Sequence, residues 1–324
     1  MEFMSRKELQ RMLSRKAWAS PHNKVVAVLD EKSGVVELIE DHARGTCFGG
    51  AAWSLYHYTK NSPCVFWSKR EGARIFYKIL PGPSEVSSKL TPSYRPASIE
   101  SVSVEGDKIK ILYFGLAGAG VAALTRAMAE GVEGVQIQDW GGGSRLGRAI
   151  ITLPRKEKLI IGVDDTDRKD EGATWSLINE ISHQLSIEMG VDYLEHSIVQ
   201  LYPQNPFKTQ NCVSISVSFA VLPDQKSKLI ESFKKRLEEA TLSDETGMAL
   251  MSGIMIDERL MAFAKRAKSG MISLEETEET ASKCGVELIK IKGSRGLIGA
   301  LAAIPYVESP DDAVKLPSGV NNDV

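Results

Sequence analysis

Asp164, Asp165 and Asp167 crowd the end of an apolar run, Leu159-Ile160-Ile161-Gly162-Val163. The run reads as a buried β-strand, so three carboxylates stand where that strand leaves the core. Carboxylates this close raise one another's pKa unless something positive sits among them. A hard cation is the usual partner, and Mg²⁺ is commonly held by one or two carboxylates together with substrate phosphates. On an extended strand end, side chains alternate. Asp165 and Asp167 then share one face and Asp164 points the other way, unless a turn gathers all three. A plain junction with solvated acids is the alternative reading.

Glu171-Gly172-Ala173-Thr174 follows and opens a predicted helix. A helix N-terminus carries free N–H groups and partial positive charge, so it favours phosphate. Thr174 is either a phosphate contact or merely an N-cap. Arg168 and Lys169 add positive charge beside the acids or are simply exposed. A second group, Asn205-Pro206-Phe207-Lys208-Thr209-Gln210-Asn211, lies between two predicted strands. Lys208 is its natural phosphate cation, with Thr209 and Asn211 as hydrogen-bonding neighbours, although alone it reads as an ordinary polar loop. A third group, Gly293-Ser294-Arg295-Gly296, precedes an apolar helix and makes another anion-friendly N-terminus. The P-loop pattern GxxxxGK[ST] is absent, and Gly115, Gly118 and Gly120 do not fit GxGxxG.

The elements that must position these groups are legible from periodicity. Strands are expected at Val25–Leu29 and Val35–Leu38, with a helix over Gly49–Tyr58 and a hairpin around Glu105-Gly106-Asp107. Helical spacing follows at Val121–Met128. Pro81 through Pro96 reads as a connection, and Gly141-Gly142-Gly143-Ser144 is the strongest flexible signal. The domain boundary is expected between that run and Lys158. In the second half, a helix is expected from Thr174 to Met189, and strands at Ile198–Tyr202 and Val213–Val221. Helices follow around Leu229–Leu237 and over Ile254–Lys268. Ser273-Leu274-Glu275-Glu276 is a capping box for a helix ending at Gly285. A strand at Val286–Ile291 and a helix at Gly296–Ile304 complete it.

Length and composition bound the rest. The chain has 324 residues, enough for two domains, and 40 Lys plus Arg against 42 Asp plus Glu, a formal charge of −2. No global basic field attracts nucleic acid, although a local patch remains open. No apolar stretch spans a membrane, and the N-terminus lacks a signal-peptide core. Cys47, Cys64, Cys212 and Cys284 are scattered without a CxxC pair, which argues against a zinc ribbon and for a reduced, cytoplasmic setting. Gly50-Ala51-Ala52-Trp53-Ser54-Leu55 echoes Gly172-Ala173-Thr174-Trp175-Ser176-Leu177, either a duplication or two small-residue helix starts. His42, Arg44 and Cys47 lie near the first copy without metal-like spacing.

Together the motifs carry a resemblance. Ile161-Gly162-Val163-Asp164-Asp165-Thr166-Asp167 with Gly172-Ala173-Thr174, then Pro206-Phe207-Lys208-Thr209, then Arg295-Gly296-Leu297-Ile298-Gly299-Ala300 occur in this order in archaeal tRNA(Ile) agmatinylcytidine synthetases. Residues 155–308 resemble that family's ATP-using kinase domain. The resemblance implies Mg²⁺ and ATP, with Asp164, Asp165 and Asp167 holding metal and phosphates. It implies catalytic roles for Asp165 and Thr174, the latter at the position of a phosphoryl-accepting threonine. It places Gly172, Lys208, Thr209, Arg295 and Gly296 on cofactor-binding positions, with phosphate contact as the physical reading of Lys208 and Arg295. The family's Cys-Thr-Thr reads Ala173-Thr174-Trp175 here, which puts the role of Thr174 in question.

No counterpart of the synthetase's nucleic-acid-binding barrel and zinc ribbon is expected, and the kinase-like domain is expected to follow the other one instead of preceding it. Overall layout resembles the methanogenesis marker protein 11 family, which implies a methanogenic archaeal setting. The expected fold class is α/β (α+β). An N-terminal α+β domain over residues 1–150 is ferredoxin-like in part, around Ile109–Leu116. A C-terminal α/β kinase-like domain covers residues 155–308, and residues 309–324 form a flexible tail. The expected function is that of a Mg-ATP-binding, phosphotransferase-like or activating enzyme acting on an RNA or protein acceptor. A non-catalytic accessory protein for methanogenesis that keeps the fold is the alternative.

Overall fold

Antiparallel strands form the sheets of both halves of the chain, and many, such as Val35–Asp41 and Val213–Val221, are buried along nearly their whole length. The computed structural model describes residues 3–82, 90–116, 121–142 and 145–317. Most of the Pro81–Pro96 connection's first half, residues 117–120 and Gly143-Ser144 fall outside the described residues. The chain divides into two units, Met1–Lys156 and Glu157–Val324. Among the described residues no helix is long and apolar enough to cross a membrane.

The first unit opens with β1 (Phe3–Ser5) and α1 (Arg6–Leu13), joined by a reciprocal capping box between Ser5 and Glu8. Next come β2 (Lys24–Asp30), β3 (Val35–Asp41), α2 (Phe48–Asn61), β4 (Val65–Glu71) and β5 (Arg74–Ile79). They form a sheet in the order β2-β3-β5-β4. The same ββαββ pattern then repeats as β6 (Ala97–Glu105), β7 (Lys108–Gly115), α3 (Val121–Ala127), β8 (Gly134–Asp139) and β9 (Gly147–Pro154). Its sheet runs β6-β7-β9-β8, with β1 added at the β8 edge. Because β9 runs to Pro154, this unit extends past residue 150. A helix does follow β7, but the unit is two ββαββ groups, not a βαββαβ one. One apolar cluster holds both sheets. At its centre the Glu40 carboxylate is buried against the Arg126 guanidinium, Nε at 2.5 Å and Nη2 at 2.7 Å, and the Tyr113 hydroxyl at 2.8 Å.

The second unit runs β10 (Glu157–Asp164), α4 (Thr174–Met189), β11 (Asp192–Gln200), β12 (Val213–Val221), α5 (Lys226–Ala240) and β13 (Gly247–Ser252). α6 (Glu258–Ala267), α7 (Leu274–Cys284), β14 (Glu287–Lys290), α8 (Gly296–Ala303) and α9 (Pro310–Ala313) complete it. The sheet order is β11-β12-β10-β13-β14, antiparallel throughout. Its first four strands with α4 and α5 make the split βαββαβ arrangement of ferredoxin-like folds, so that topology lies in the second unit instead of the first. β13 falls just ahead of the expected Ile254–Lys268 helix, which begins instead at Glu258 behind an Asp257 N-cap.

Central β10 is apolar on both faces because helices cover both. Leu159, Ile161 and Val163 meet Ile178, Ile181 and Leu185 of α4 and Leu229, Phe233 and Leu237 of α5. Each fully buried Leu or Phe is worth about 1.5–3 kcal/mol. Ile160 on the other face joins Leu260 and Phe263 of α6 and Ala300 to Ala303 of α8. α8 lies almost backbone to backbone on the sheet. A Cβ at Gly162 would land on the Ala300 carbonyl, and one at Gly247 on the Leu297 backbone nitrogen. The tail expected to be loose after residue 308 begins with α9, whose Ala313 is buried. Lys268 Nζ holds it by donating to the carbonyls of Asp312, Ala313 and Lys315 at 2.9, 2.7 and 2.7 Å.

Candidate active site

β10 delivers Asp164 to its last position, and the chain then turns sharply. Asp165 has φ of 61°, in the left-handed region. That conformation costs a non-glycine residue about 1–2 kcal/mol, and Asp tolerates it better than most. Three bonds hold it there. Thr246 Oγ1 donates to its carbonyl at 2.7 Å, Ser243 Oγ to its Oδ1 at 2.9 Å, and Arg295 Nε to its Oδ2 at 2.9 Å. Strain fixed by several partners clusters at functional positions. Thr166 is buried, and its carbonyl accepts the N–H groups of Leu242 and Ser243. Its own N–H and hydroxyl donate to Thr174 Oγ1 at 3.4 and 3.0 Å, tying the strand end to the start of α4. Asp167 Oδ1 accepts from Thr209 Oγ1 at 3.1 Å, and Gln210 Nε2 donates to the Lys169 carbonyl at 2.9 Å. These two bonds bring the Asn205–Asn211 loop against the acidic one.

Asp164 is the most constrained of the acids. Its Oδ1 accepts the Asp165 N–H at 2.8 Å. A Cβ on Gly299 would land on its Oδ2, so that glycine is what lets α8 cover the carboxylate. Burial pushes the Asp164 carboxyl well above the usual range, Asp165 and Asp167 push the same way, and Arg295 offsets them only in part. Burial also raises Asp167, against the bond from Thr209. Such a group is relieved by a cation.

These residues line a cavity of about 520 Å³, within the size of small-ligand sites. Asp164, Asp165, Asp167, Gly172, Thr174, Lys208, Thr209 and Arg295 all face it, beside Tyr202, Phe207, Met271 and Ile298. The cavity therefore joins an acidic and hydroxyl-bearing wall to an apolar one. The Arg295 guanidinium also sits 5.3 Å from the Phe207 ring centre, within cation–π range.

Several expectations change. Gly296 is a packing residue outside the cavity lining: a Cβ there would meet the Glu245 carbonyl at 2.6 Å and the Asp164 carbonyl at 2.8 Å. The donors expected ahead of α8 are spent, because the N–H groups of Ser294 and Arg295 both reach Glu245 Oε2 at 3.1 Å. Those bonds, Arg295's first, hold the Glu245 carboxyl below its usual range. Thr174 is the first residue of α4, and the N-cap is Ala173, which has no capping side chain. Lys208 is exposed, with Nζ donating to the Pro203 carbonyl at 2.6 Å.

The three aspartates share the cavity without converging. Among the described residues no three His, Cys, Asp or Glu side chains form a metal-holding set. Asp165 is turned to Arg295 and Ser243, and Asp167 to Thr209. One or two hard carboxylate oxygens suffice when a nucleotide supplies the remaining ligands of Mg²⁺. The half-buried Asp164 carboxyl, with its pKa pushed up, fits that requirement.

Ser243, Glu245 and Thr246 support the site and were not singled out in the sequence, whereas Gly299 stood there only as part of the Arg295–Ala300 motif. Thr241-Leu242-Ser243-Asp244-Glu245-Thr246 does carry a signal, hydroxyls and acids massed just before a strand. Its pairing with Asp165, far earlier in the chain, is a product of the sheet.

A family model described as the TiaS TCKD domain matches residues 160–293. "Uncharacterized protein MJ0921" of Methanocaldococcus jannaschii is 43% identical over 295 residues, covering 91% of this chain and 97% of that protein. The tRNA 2-agmatinylcytidine synthetase TiaS of Pyrococcus horikoshii is 33% identical over 152 residues, 46% of this chain and 35% of the synthetase. The chain thus spans about a third of that enzyme's length. Among solved structures, the complex of TiaS with its tRNA and ATP matches at 24% identity with a TM-score of 0.40, over 46% of this chain and 36% of that one.

Proposed function

We propose that this chain, which belongs to the same protein family as MJ0921 of Methanocaldococcus jannaschii, is an ATP-dependent enzyme of the phosphotransferase-like or activating kind. Its acceptor is an RNA or a protein, in the cytoplasm of a methanogenic archaeon, consistent with a methanogenesis marker protein 11 membership. The observation that carries this reading is the strained Asp165, held by three bonds beside the half-buried Asp164 in a cavity lined largely by residues of the 160–293 segment that the TiaS TCKD model matches.

In this reading Asp164, with Asp165 and Asp167 beside it, holds Mg²⁺ with the phosphates of ATP. When bound, Mg-ATP supplies the phosphoryl group and the charge neutralisation that such a transfer needs. Arg295 keeps Asp165 oriented through the bond to its Oδ2. Lys208, on a loop tied to the acids through Thr209, leaves Pro203 to neutralise phosphate. Gly172, with φ of 95°, lets the acidic loop fold back on Asp167. The Thr174 hydroxyl accepts from Thr166, so its own proton is left to donate toward the cavity. The apolar wall suits a nucleobase.

Calorimetric titration with Mg-ATP tests the site. Binding by the wild type should weaken at least about tenfold in Asp165→Asn, the equivalent of one lost charged hydrogen bond. An unchanged affinity in that variant, with its fold intact by circular dichroism, would sink the reading. Thr174→Ala should keep nucleotide binding and lose turnover, and Thr174→Ser should keep both. The accessory alternative rests on Ala173 and Trp175, which replace the resembling family's cysteine and second threonine. It predicts nucleotide binding with negligible turnover in the wild type as well.

A further inference from the structure

The first unit carries a surface that its core does not need. Residues 42–70 contain no Asp or Glu, although acids are 42 of the chain's 324 residues, and they hold Arg44, Lys60, Lys69 and Arg70. In the same stretch α2 buries Ala51, Ser54, His57, Tyr58 and Asn61 and turns the rings of Phe48, Trp53 and Tyr56 outward. Phe48 is 54% exposed, Trp53 46% and Tyr56 58%. Trp53 and Tyr56 both pack against the His57 ring, at 4.5 and 5.0 Å between centres, which fixes their orientation. Lys60 Nζ lies 5.4 Å from the Tyr56 ring centre and donates to its hydroxyl at 3.3 Å.

Edge strand β4 continues the surface, since Thr59 of α2 and Ser68 of β4 share a hydrogen bond of 2.7 Å. Phe66 on β4 is 47% exposed. Phe48 lies beside Gly72 in the turn after β4, next to the exposed Arg70. Exposed rings interleaved with cations, with Glu71 at the end of β4 paired to Lys69 at 2.6 Å, match a polyanion that also offers flat π-faces. Unpaired bases stack on such rings while lysine and arginine follow the backbone.

We infer that the outer face of α2 and the adjoining β4 edge bind single-stranded RNA. This deepens the proposed function by choosing RNA from its two acceptor classes, and it rests on that reading for there being an acceptor.

Fluorescence anisotropy of a labelled single-stranded RNA oligonucleotide of mixed sequence, titrated with the full chain, tests it. Trp53→Ala and Tyr56→Ala should each weaken binding roughly tenfold, as expected for loss of one stacking ring. Trp53→Phe should restore most of the loss. Trp140→Ala, an exposed ring outside the surface, should change nothing. Phosphate contacts from Arg44, Lys60 and Arg70 should give a slope of log K against log salt of about −2. A blunt duplex of the same sequence should bind more weakly, because its bases are already stacked. RNA binding that ignores Trp53 and Tyr56, a preference for duplex, or a protein that self-associates through this face in sedimentation would each overturn the inference. Mg-ATP titration of the same samples separates the two claims. ATP binding without RNA binding defeats this surface alone, and RNA binding without ATP binding defeats the nucleotide site alone.

Discussion

Asp164 is held at a cost that its own neighbours impose. Burial and the nearby Asp165 and Asp167 raise its carboxyl pKa above the unfolded value, near 4. A carboxyl with a raised folded-state pKa penalises folding increasingly as pH climbs from the unfolded value through the folded one, and the penalty is constant above that. Asp164→Asn should therefore stabilise the nucleotide-free protein at neutral pH, by roughly 0.5–2 kcal/mol, and abolish tight Mg-ATP binding. Thermal unfolding with pH checks the sign: the advantage of the asparagine should shrink as pH falls toward 4. The acids themselves were legible in the sequence, because three carboxylates at a strand end are a local pattern. Their divergence was not. It depends on the left-handed turn at Asp165 and on Ser243, Thr246 and Arg295, which are distant in sequence.

The elements that build the site were mostly readable, and the exceptions have physical reasons. α4 spans the expected Thr174–Met189, and α7 begins at its capping serine and ends at Gly285 in the left-handed conformation. β13 went unread because Gly247-Met248-Ala249-Leu250-Met251 lacks the β-branched residues that mark strands. Pairing with β10 makes it a strand. β13 and α8 then need each other's glycines to meet. Gly162→Ala would force a methyl onto the Ala300 carbonyl and push α8 off Asp164. Overpacking of this kind costs about 1–3 kcal/mol. The expected outcome is a lower midpoint in urea and weaker Mg-ATP affinity, although residue 162 touches no ligand. Full retention of both would show that α8 does not set the position of Asp164.

At the scale of the molecule, each unit has its own apolar core, one cluster in the first and one on each face of the sheet in the second. Residues 157–324 expressed alone should therefore unfold cooperatively and bind Mg-ATP with nearly the affinity of the full chain. Circular dichroism melts and calorimetry of the fragment check this, and a fragment that is unfolded or blind to nucleotide would refute it.

The sequence by itself determined the two-unit α+β composition, most helices and strands, and the acids, hydroxyls and cations that meet in the cavity. Those follow from local periodicity, capping and charge patterning, which neighbouring residues specify among themselves. The tertiary structure decided that the ferredoxin-like topology belongs to the second unit. It also decided that Gly296 packs while Gly299 opens room for a carboxylate, and that Asp165 faces an arginine instead of its fellow aspartates. Each of these depends on backbones brought together across the sheet, where contact between residues far apart in the chain overrides what either segment prefers alone.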